Sequence, residues 1–183
     1  MATIRLLLIS GSTRNGSSNT LALRTLHELD HPGVITELYD GLPTLPAFIP
    51  YADPVPAAAA DLLTRVSEAD AVVFSTPEYA GGLPGALKNL LDWTVGGGQL
   101  YEKPVAWLDV ASPGRGAGAR AQLQTVLGYV GARVVDSACT QLALDRADGA
   151  VTLSVDAEHQ LCAAVGHLAS AVEEVKDESR LHR

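Results

Sequence analysis

The sequence is poor in the residues that build disulfides, cysteine-based metal sites and nucleic-acid surfaces. It has two cysteines, Cys139 and Cys162, which lie far apart and form no CxxC motif. This spacing fits a reducing compartment and provides neither a disulfide framework nor a metal knuckle. Thirteen lysines and arginines stand against 21 aspartates and glutamates, for a formal net charge of −8. The basic residues are scattered, so no phosphate-neutralising surface for nucleic acid is expected.

Long hydrophobic runs are also missing. Although 47% of the residues are hydrophobic, no apolar stretch approaches the length of a membrane span, so no membrane association is expected. The apolar start of the chain is followed by GSTR in place of a small-residue cleavage site. This favours a first strand over a signal peptide, and we therefore expect a cytoplasmic protein. His27 and His31 have a spacing that can bind zinc, but Pro32 follows directly. We therefore expect a helix end there and no metal site.

The apolar residues that are present form short runs without period-two alternation, separated by longer segments of helical character. This pattern is typical of a parallel sheet covered on both faces. A chain of 183 residues is near the usual size of one domain, so we expect a single α/β domain over residues 1–183. The predicted strands are 4–9, 34–39, 71–75, 105–110 and 133–137. The predicted helices are 19–29, 57–67, 84–93, 119–130 and 157–175.

A proline-rich segment interrupts the pattern between residues 40 and 56, where the chain has five prolines. Proline removes a backbone donor and cannot continue a helix or a central strand. An irregular surface segment is therefore expected, as a candidate lid or interface.

Three unusual loops follow the first, third and fourth predicted strands. They read GSTRNGSSNT, TPEYAGGLPG and ASPGRGAG, and all are rich in glycine, proline or hydroxyls. In an open, doubly wound sheet, ligands bind outside the carboxyl ends of the strands, where the winding reverses. With the strand order 2-1-3-4-5 the three loops converge on one crevice. They are called the first, second and third loops below.

The first loop, residues 11–20, has the chemistry that a phosphate group needs. Gly11 and Gly16 let the chain fold back, and Arg14 is the one fixed positive charge. Donors and a helix N-cap come from Ser12, Ser17, Ser18, Asn19 and Thr20. A triphosphate site would have a lysine where Ser17 stands, and a dinucleotide site would have GxGxxG, so a phosphate monoester fits better. A serine-rich turn that merely caps a helix is the plainer alternative.

Two of the loops resemble signatures of a known family. GSTRNGSSN resembles the G-S-x-R-x-x-S-x-N phosphate loop of the NADPH-dependent FMN reductases and related flavodoxin-like quinone and azo reductases. Residues 76–93 are similar to that family's P-E-Y-N-x-S-x-P-G-x-L-K-N-x-x-D-W signature. The resemblance implies a flavodoxin-like fold, bound FMN, NADPH or NADH as electron donor, and a homodimer or dimer of dimers. It also implies cofactor contacts from Pro77, Glu78, Tyr79, Ala80, Gly81, Ser112, Gly114 and Gly116.

Two positions depart from the family pattern, since Ala80 stands where asparagine is common and Gly82 where serine is common. Those side-chain donors are lost. Backbone N–H groups of a glycine-rich loop can still serve a flavin, so we expect FMN binding to be retained with altered tuning or acceptor choice.

No catalytic residue is expected from the protein, because the isoalloxazine itself accepts a hydride. The expected acceptor is a small molecule: a flavin, a quinone, an azo compound or a metal oxyanion. Two rival hypotheses are a non-enzymatic flavodoxin-like electron carrier and a flavin-less member with a structural or regulatory role. Arg14 favours the reductase, because carrier flavodoxins resemble T-x-T-G-x-T without an arginine. Arg115 has no assigned role.

The segment LDWTVGGGQLY, residues 91–101, predicts a subunit interface. It places Trp93, Val95, Leu100 and Tyr101 around three consecutive glycines. Aromatic residues are enriched at interface cores. The alternative packs Trp93 into its own core and leaves the glycines as a mobile loop.

Overall fold

A parallel sheet forms the centre of the computed structural model, which describes residues 3–147 and 150–181. Its five main strands are Ile4–Ser10 (β1), Val34–Tyr39 (β2), Ala71–Ser75 (β3), Pro104–Asp109 (β4) and Arg133–Val134 (β5). Their order is β2-β1-β3-β4-β5, and every pairing among them is parallel. The predicted order 2-1-3-4-5 and the flavodoxin-like class are confirmed.

Five helices cover the two faces of this sheet. They are Ser18–Glu28 (α1), Ala57–Glu68 (α2), Gly85–Val95 (α3), Ala117–Tyr129 (α4) and Val155–Leu181 (α5). Strand β1 shows why its run is apolar throughout: Leu6 and Leu8 pack in the core under α1 and α5, whereas Leu7 and Ile9 pack in the core under α2, α3 and α4. A strand buried on both faces loses the alternation that a half-exposed strand would show.

The region after β4 differs from the prediction. A strand was expected over 133–137, but β5 ends at Val134, and a 3₁₀ turn, Asp136–Ala138, leads into a short strand β6, Thr140–Gln141. Strand β6 pairs with the later part of β4, which β5 leaves free. An antiparallel hairpin of β7, Leu144–Ala147, and β8, Ala150–Leu153, then precedes α5 and was not predicted.

Helix α5 extends six residues beyond the predicted end at 175. Its last turns are bound to the sheet side of the molecule by ion pairs of Lys176 with Asp70 (2.7 Å) and of Arg133 with Glu178 (3.1 Å). None of the helices among the described residues is long and apolar enough to cross a membrane.

The proline-rich segment is irregular, as predicted, apart from a 3₁₀ turn at Leu42–Thr44. Its middle is bound to α3. The Pro46 carbonyl accepts hydrogen bonds from Trp93 Nε1 (3.0 Å) and Asn89 Nδ2 (2.9 Å), and Phe48 packs edge to face on Trp93. This part of the segment is therefore part of the fold rather than a free lid.

Candidate functional site

The three loops emerge side by side at the carboxyl edge of the sheet, because β1 pairs with β3 and β3 with β4. The first two are in direct contact at their bases, where Gly11 N–H donates to the Ser75 carbonyl (2.8 Å). A Cβ at Gly11 would lie 2.4 Å from Thr76 Oγ1. No side chain fits at this position, so the glycine is required by the close approach of the two loops.

The first loop leads into helix α1, and the backbone N–H groups just before the helix have no hydrogen-bond acceptor among the described residues. Ser17 is the N-cap of α1, and its Oγ accepts from Asn19 N–H (3.2 Å). The N–H groups of Asn15, Gly16 and Ser17 have no acceptor in the part of the chain that the structure describes. Three successive unpaired donors before a helix N-terminus form the arrangement that binds an anion.

Hydroxyl groups hold the first loop in shape. Ser12 is buried, and its Oγ accepts from Arg14 N–H (3.2 Å). Ser10 and Thr20 share a hydrogen bond between their hydroxyls (2.8 Å). Among the described residues the exposed guanidinium of Arg14 has no carboxylate partner, so it is available to a ligand.

Asn19 is placed differently from the other predicted donors. Its side chain is buried, and Oδ1 lies 3.0 Å from Ser75 Oγ, which is itself 2.8 Å from the Leu108 carbonyl. These contacts join α1 to β3 and β4. Asn19 therefore supports the loop from below.

The second loop contains a tight turn that presents its tip to solvent. Tyr79 and Gly82 exchange two backbone hydrogen bonds (3.0 and 3.1 Å), and both residues between them have positive φ, +50° at Ala80 and +77° at Gly81. This is the mirror-image turn that favours asparagine or glycine at both central positions. Tyr79, Ala80 and Gly81 are exposed.

Glu78 connects the second loop to the third. Its Oε2 accepts from the N–H groups of Gly118 (2.7 Å) and Ala119 (3.1 Å), in the first turn of α4. The N-cap of that helix is Gly116, which has no side chain to offer. Glu78 thus replaces the missing cap and interacts favourably with the helix dipole.

Gln122 is a residue of this region that the sequence patterns did not reveal. Its Oε1 accepts from Leu83 N–H (2.8 Å), and a Cβ at Gly82 would lie 2.4 Å from that same oxygen. On the facing helix, a Cβ at Gly118 would lie 2.1 Å from the Gly81 carbonyl. The glycines in both elements allow the turn to lie directly on α4.

The third loop is supported by a buried carboxylate that was also missed. Asp109 forms an ion pair with Arg120 of α4 and accepts from Ala111 N–H (2.8 Å). Above it the loop turns at Ser112, whose carbonyl accepts from Arg115 N–H (3.0 Å). Gly114 and Gly116 both have φ of +81°. No local pattern in the sequence predicts this ion pair, because Asp109 and Arg120 are eleven residues apart and lie on different elements.

Two clefts adjoin these loops. The larger, about 650 Å³, lies beside the first loop and is lined by most of it, including Ser12, Arg14 and Ser17. The smaller, about 380 Å³, is lined by Ser112 and Pro113 of the third loop together with residues around β6 and β7. The second loop lines neither of them. Its predicted residues, from Pro77 to Gly81, form a more open surface between the two.

The thiol of Cys139, whose pKa is shifted, lies outside the three loops. Burial raises the pKa of the Cys139 thiol to about 11, so this cysteine is protonated and unreactive at neutral pH. Cys139 packs against the core on the α5 side of the sheet. The described residues include no group of three histidines, cysteines or carboxylates that could hold a metal ion.

The chain is similar to known oxidoreductases over most of its length. The sequence profile of the family described as NADPH-dependent FMN reductase matches residues 4–147. A NAD(P)H-dependent FMN reductase of Pseudomonas aeruginosa is 41% identical over 123 residues, 65% of each protein, so the match spans just under two thirds of that relative. A quinone reductase of Escherichia coli is 29% identical over 73% of this chain and 74% of its own length. Among solved structures, the flavoenzyme NAD(P)H:acceptor oxidoreductase of Paracoccus denitrificans superposes with a TM-score of 0.73 at 25% identity, covering 94% of this chain and 98% of that one.

Proposed function

The chain belongs to the NADPH-dependent FMN reductase family, and from this premise we propose that it is an oxidoreductase. In this proposal it binds FMN, takes electrons from NADPH or NADH, and passes them to a small molecule. The observation that carries the proposal is the meeting of three loops at one edge of the sheet, where the first loop presents the free amides of Asn15, Gly16 and Ser17.

The first loop fits the phosphate of FMN. Unpaired backbone donors, the N-terminus of α1 and the Arg14 guanidinium together supply hydrogen bonds and positive charge without a lysine. That set suits one phosphate monoester, and the missing lysine argues against a triphosphate. Ser12, Ser17, Ser18 and Thr20 belong to this part of the proposed site, while Asn19 supports it.

The second and third loops fit the flavin ring system. The exposed backbone of Ala80 and Gly81 offers donors, and the exposed side chain of Tyr79 offers an apolar surface. Glu78 holds this turn against α4, and Pro77 precedes it in the proposed site. Ser112, Gly114 and Gly116 would form the neighbouring wall. When bound, FMN supplies two-electron redox chemistry. The chain would bind and orient it, and the proposal therefore needs no general base from the protein.

The donor and the acceptor would use the same open surface in turn, which predicts ping-pong kinetics. Quinones, azo compounds, free flavins and metal oxyanions are all small enough for an open surface beside Tyr79. The relatives named above as FMN reductase and quinone reductase support this acceptor class.

Both rival functions have less support. Gly82 departs from the family pattern, but the side-chain amide of Gln122 occupies the space that a Cβ at this position would need, so the glycine by itself does not indicate a lost cofactor. Arg14 is exposed in the phosphate loop, where carrier flavodoxins have no arginine. The reductase therefore remains the better hypothesis than a carrier or a flavin-less member.

The assembly proposed for this function is a homodimer or a dimer of dimers formed from single domains of residues 1–183. The prediction that Trp93 and Leu100 lie at the subunit interface is wrong, because both are buried in the chain's own core. Val95 and Tyr101 are exposed, at 59% and 65%, and remain candidate interface residues. We also propose a cytoplasmic location away from membranes and nucleic acid.

Absorbance of the purified protein tests the proposal. We expect a yellow protein whose flavin bands bleach when NADPH or NADH is added without oxygen, and whose extracted flavin is FMN. A titration of the apoprotein with FMN, FAD and ATP should show FMN binding most tightly. ATP binding as tightly as FMN would contradict the phosphate-monoester site.

A further inference from the structure

The cleft of about 650 Å³ beside the first loop extends away from the proposed flavin ring. One wall is the first loop and α1, and the opposite wall is formed by the end of β2, by Leu42 and Pro43, and by Val151 of β8. In the sheet, β2 lies on the other side of β1 from β3 and β4, which carry the second and third loops. A volume of this size suits a ligand much larger than one phosphate group.

Three charged side chains line this cleft among the residues that the structure describes: Arg14, Arg24 and Asp40. Arg24 lies on the exposed face of α1, beyond the loop that would hold the FMN phosphate. Within the described part of the chain it has no carboxylate partner. An unpaired arginine on a cleft wall is free to bind an anionic group of a ligand.

Asp40 follows directly after β2, the strand next to the phosphate loop. In parallel α/β folds that bind dinucleotides, a carboxylate in this region accepts a hydrogen bond from the adenosine ribose, and an arginine nearby accommodates a 2′-phosphate. Here the same two residue types line one cleft that begins at the N-terminus of α1. The difference is that the helix N-terminus itself is assigned to FMN.

We propose that this cleft binds the adenosine half of the nicotinamide donor. In this arrangement Asp40 accepts a hydrogen bond from the ribose, and Arg24 binds the 2′-phosphate and thereby favours NADPH over NADH. The inference rests on the proposed function, because it concerns the molecule that reduces the bound FMN.

Direct binding of two adenosine nucleotides to the FMN-loaded protein tests the role of Arg24. Calorimetric titration should show that adenosine 2′,5′-bisphosphate binds more tightly than adenosine 5′-monophosphate. Arg24→Ala should weaken the bisphosphate by about tenfold or more, as expected for the loss of a charge-assisted hydrogen bond, and should weaken the monophosphate less than twofold. Arg180→Ala, at the distant end of α5, is the matched control and should change neither affinity.

Steady-state kinetics provide the second readout. Arg24→Ala should raise the KM for NADPH by about tenfold or more and leave that for NADH within twofold. Asp40→Asn should raise both KM values. Unchanged nucleotide affinities in Arg24→Ala, or equal losses for the two nucleotides, would overturn the inference.

The flavin signal separates this inference from the proposed function. If the protein binds no FMN, or its flavin is not bleached by either donor, the proposed function fails. If a yellow protein is bleached normally but Arg24→Ala does not discriminate between the two nucleotides, only the cleft assignment fails. Displacement of FMN by the bisphosphate would also overturn it, since the two ligands would then share the first loop.

Discussion

At the scale of single residues, Arg14 offers the most direct test of the phosphate loop. Replacing it with alanine removes a charge-assisted hydrogen bond, so FMN binding should weaken by about 1.5–3 kcal/mol. The exposed position of the side chain means that the fold should stay intact. Fluorescence titration of the apoprotein with FMN and with riboflavin, which lacks the phosphate, measures the effect. Equal losses for both flavins would show that Arg14 is not a phosphate ligand.

Ala80 is the residue at which the sequence conflicts most clearly with its local conformation. Its φ of +50° is unfavourable for alanine, whereas asparagine tolerates this region and is preferred in this type of turn. Ala80→Asn should therefore raise the free energy of unfolding by about 1 kcal/mol. Denaturant unfolding measures the change. Ala47→Asn, at an exposed position of the proline-rich segment without a positive φ, is the control and should have little effect. A lower stability for Ala80→Asn would refute this explanation.

At the scale of elements, Glu78 couples the second loop to helix α4. Because it replaces the missing N-cap of α4, Glu78→Ala should lower the free energy of unfolding by about 1–2 kcal/mol. Glu78→Gln keeps one acceptor oxygen and should lose less than half as much. Urea unfolding of both variants, with Glu173→Ala on the exposed face of α5 as control, measures the difference. A loss for Glu78→Ala no larger than that for Glu173→Ala would show that the carboxylate does not act as a cap.

The sequence predicted those elements whose burial leaves a mark on the local pattern. Strands β1 and β3 are buried on both faces, so their apolar runs were recognisable and their ends lie within one residue of the predicted ones. Strand β5 has two residues because the chain turns away after Val134 and β6 takes over its pairing with β4. That exchange depends on tertiary geometry, and no local pattern encodes it. The β7–β8 hairpin did have a signal, the Asp-Gly pair at 148–149, which lies outside the described residues.

The candidate site, like the fold, could be predicted from the sequence only in part. The strand order places the three loops together. The alternation of strands and helices predicted a parallel sheet, and the order itself was that of the flavodoxin-like fold. The support beneath the loops was hidden, because Glu78 and Gln122 act across about 40 residues of chain. Their partners are backbone amides, which every sequence position provides. Only the folded arrangement selects which amide each side chain meets.

At the scale of the whole molecule, the second loop presents an open surface in the single chain. The second loop lines neither of the two clefts, and the Tyr79 side chain at its tip is 50% exposed. A flavin on this surface would have one side open to water. A second copy of the chain would exclude that water, and the proposed dimer therefore has a functional reason in addition to the family resemblance.

The last prediction concerns this assembly. Light scattering of the FMN-loaded protein at micromolar concentration should give the mass of two or four chains of 19.1 kDa. Val95 and Tyr101 are the exposed apolar residues near the predicted interface, so the double variant Val95→Glu and Tyr101→Glu should dissociate it through buried, unpaired charge. Leu181→Glu, at the exposed end of α5, is the control and should keep the assembly intact. If the unaltered protein has the mass of one chain while it holds flavin and reduces an acceptor, each site is complete within a single subunit and the dimer proposal is wrong.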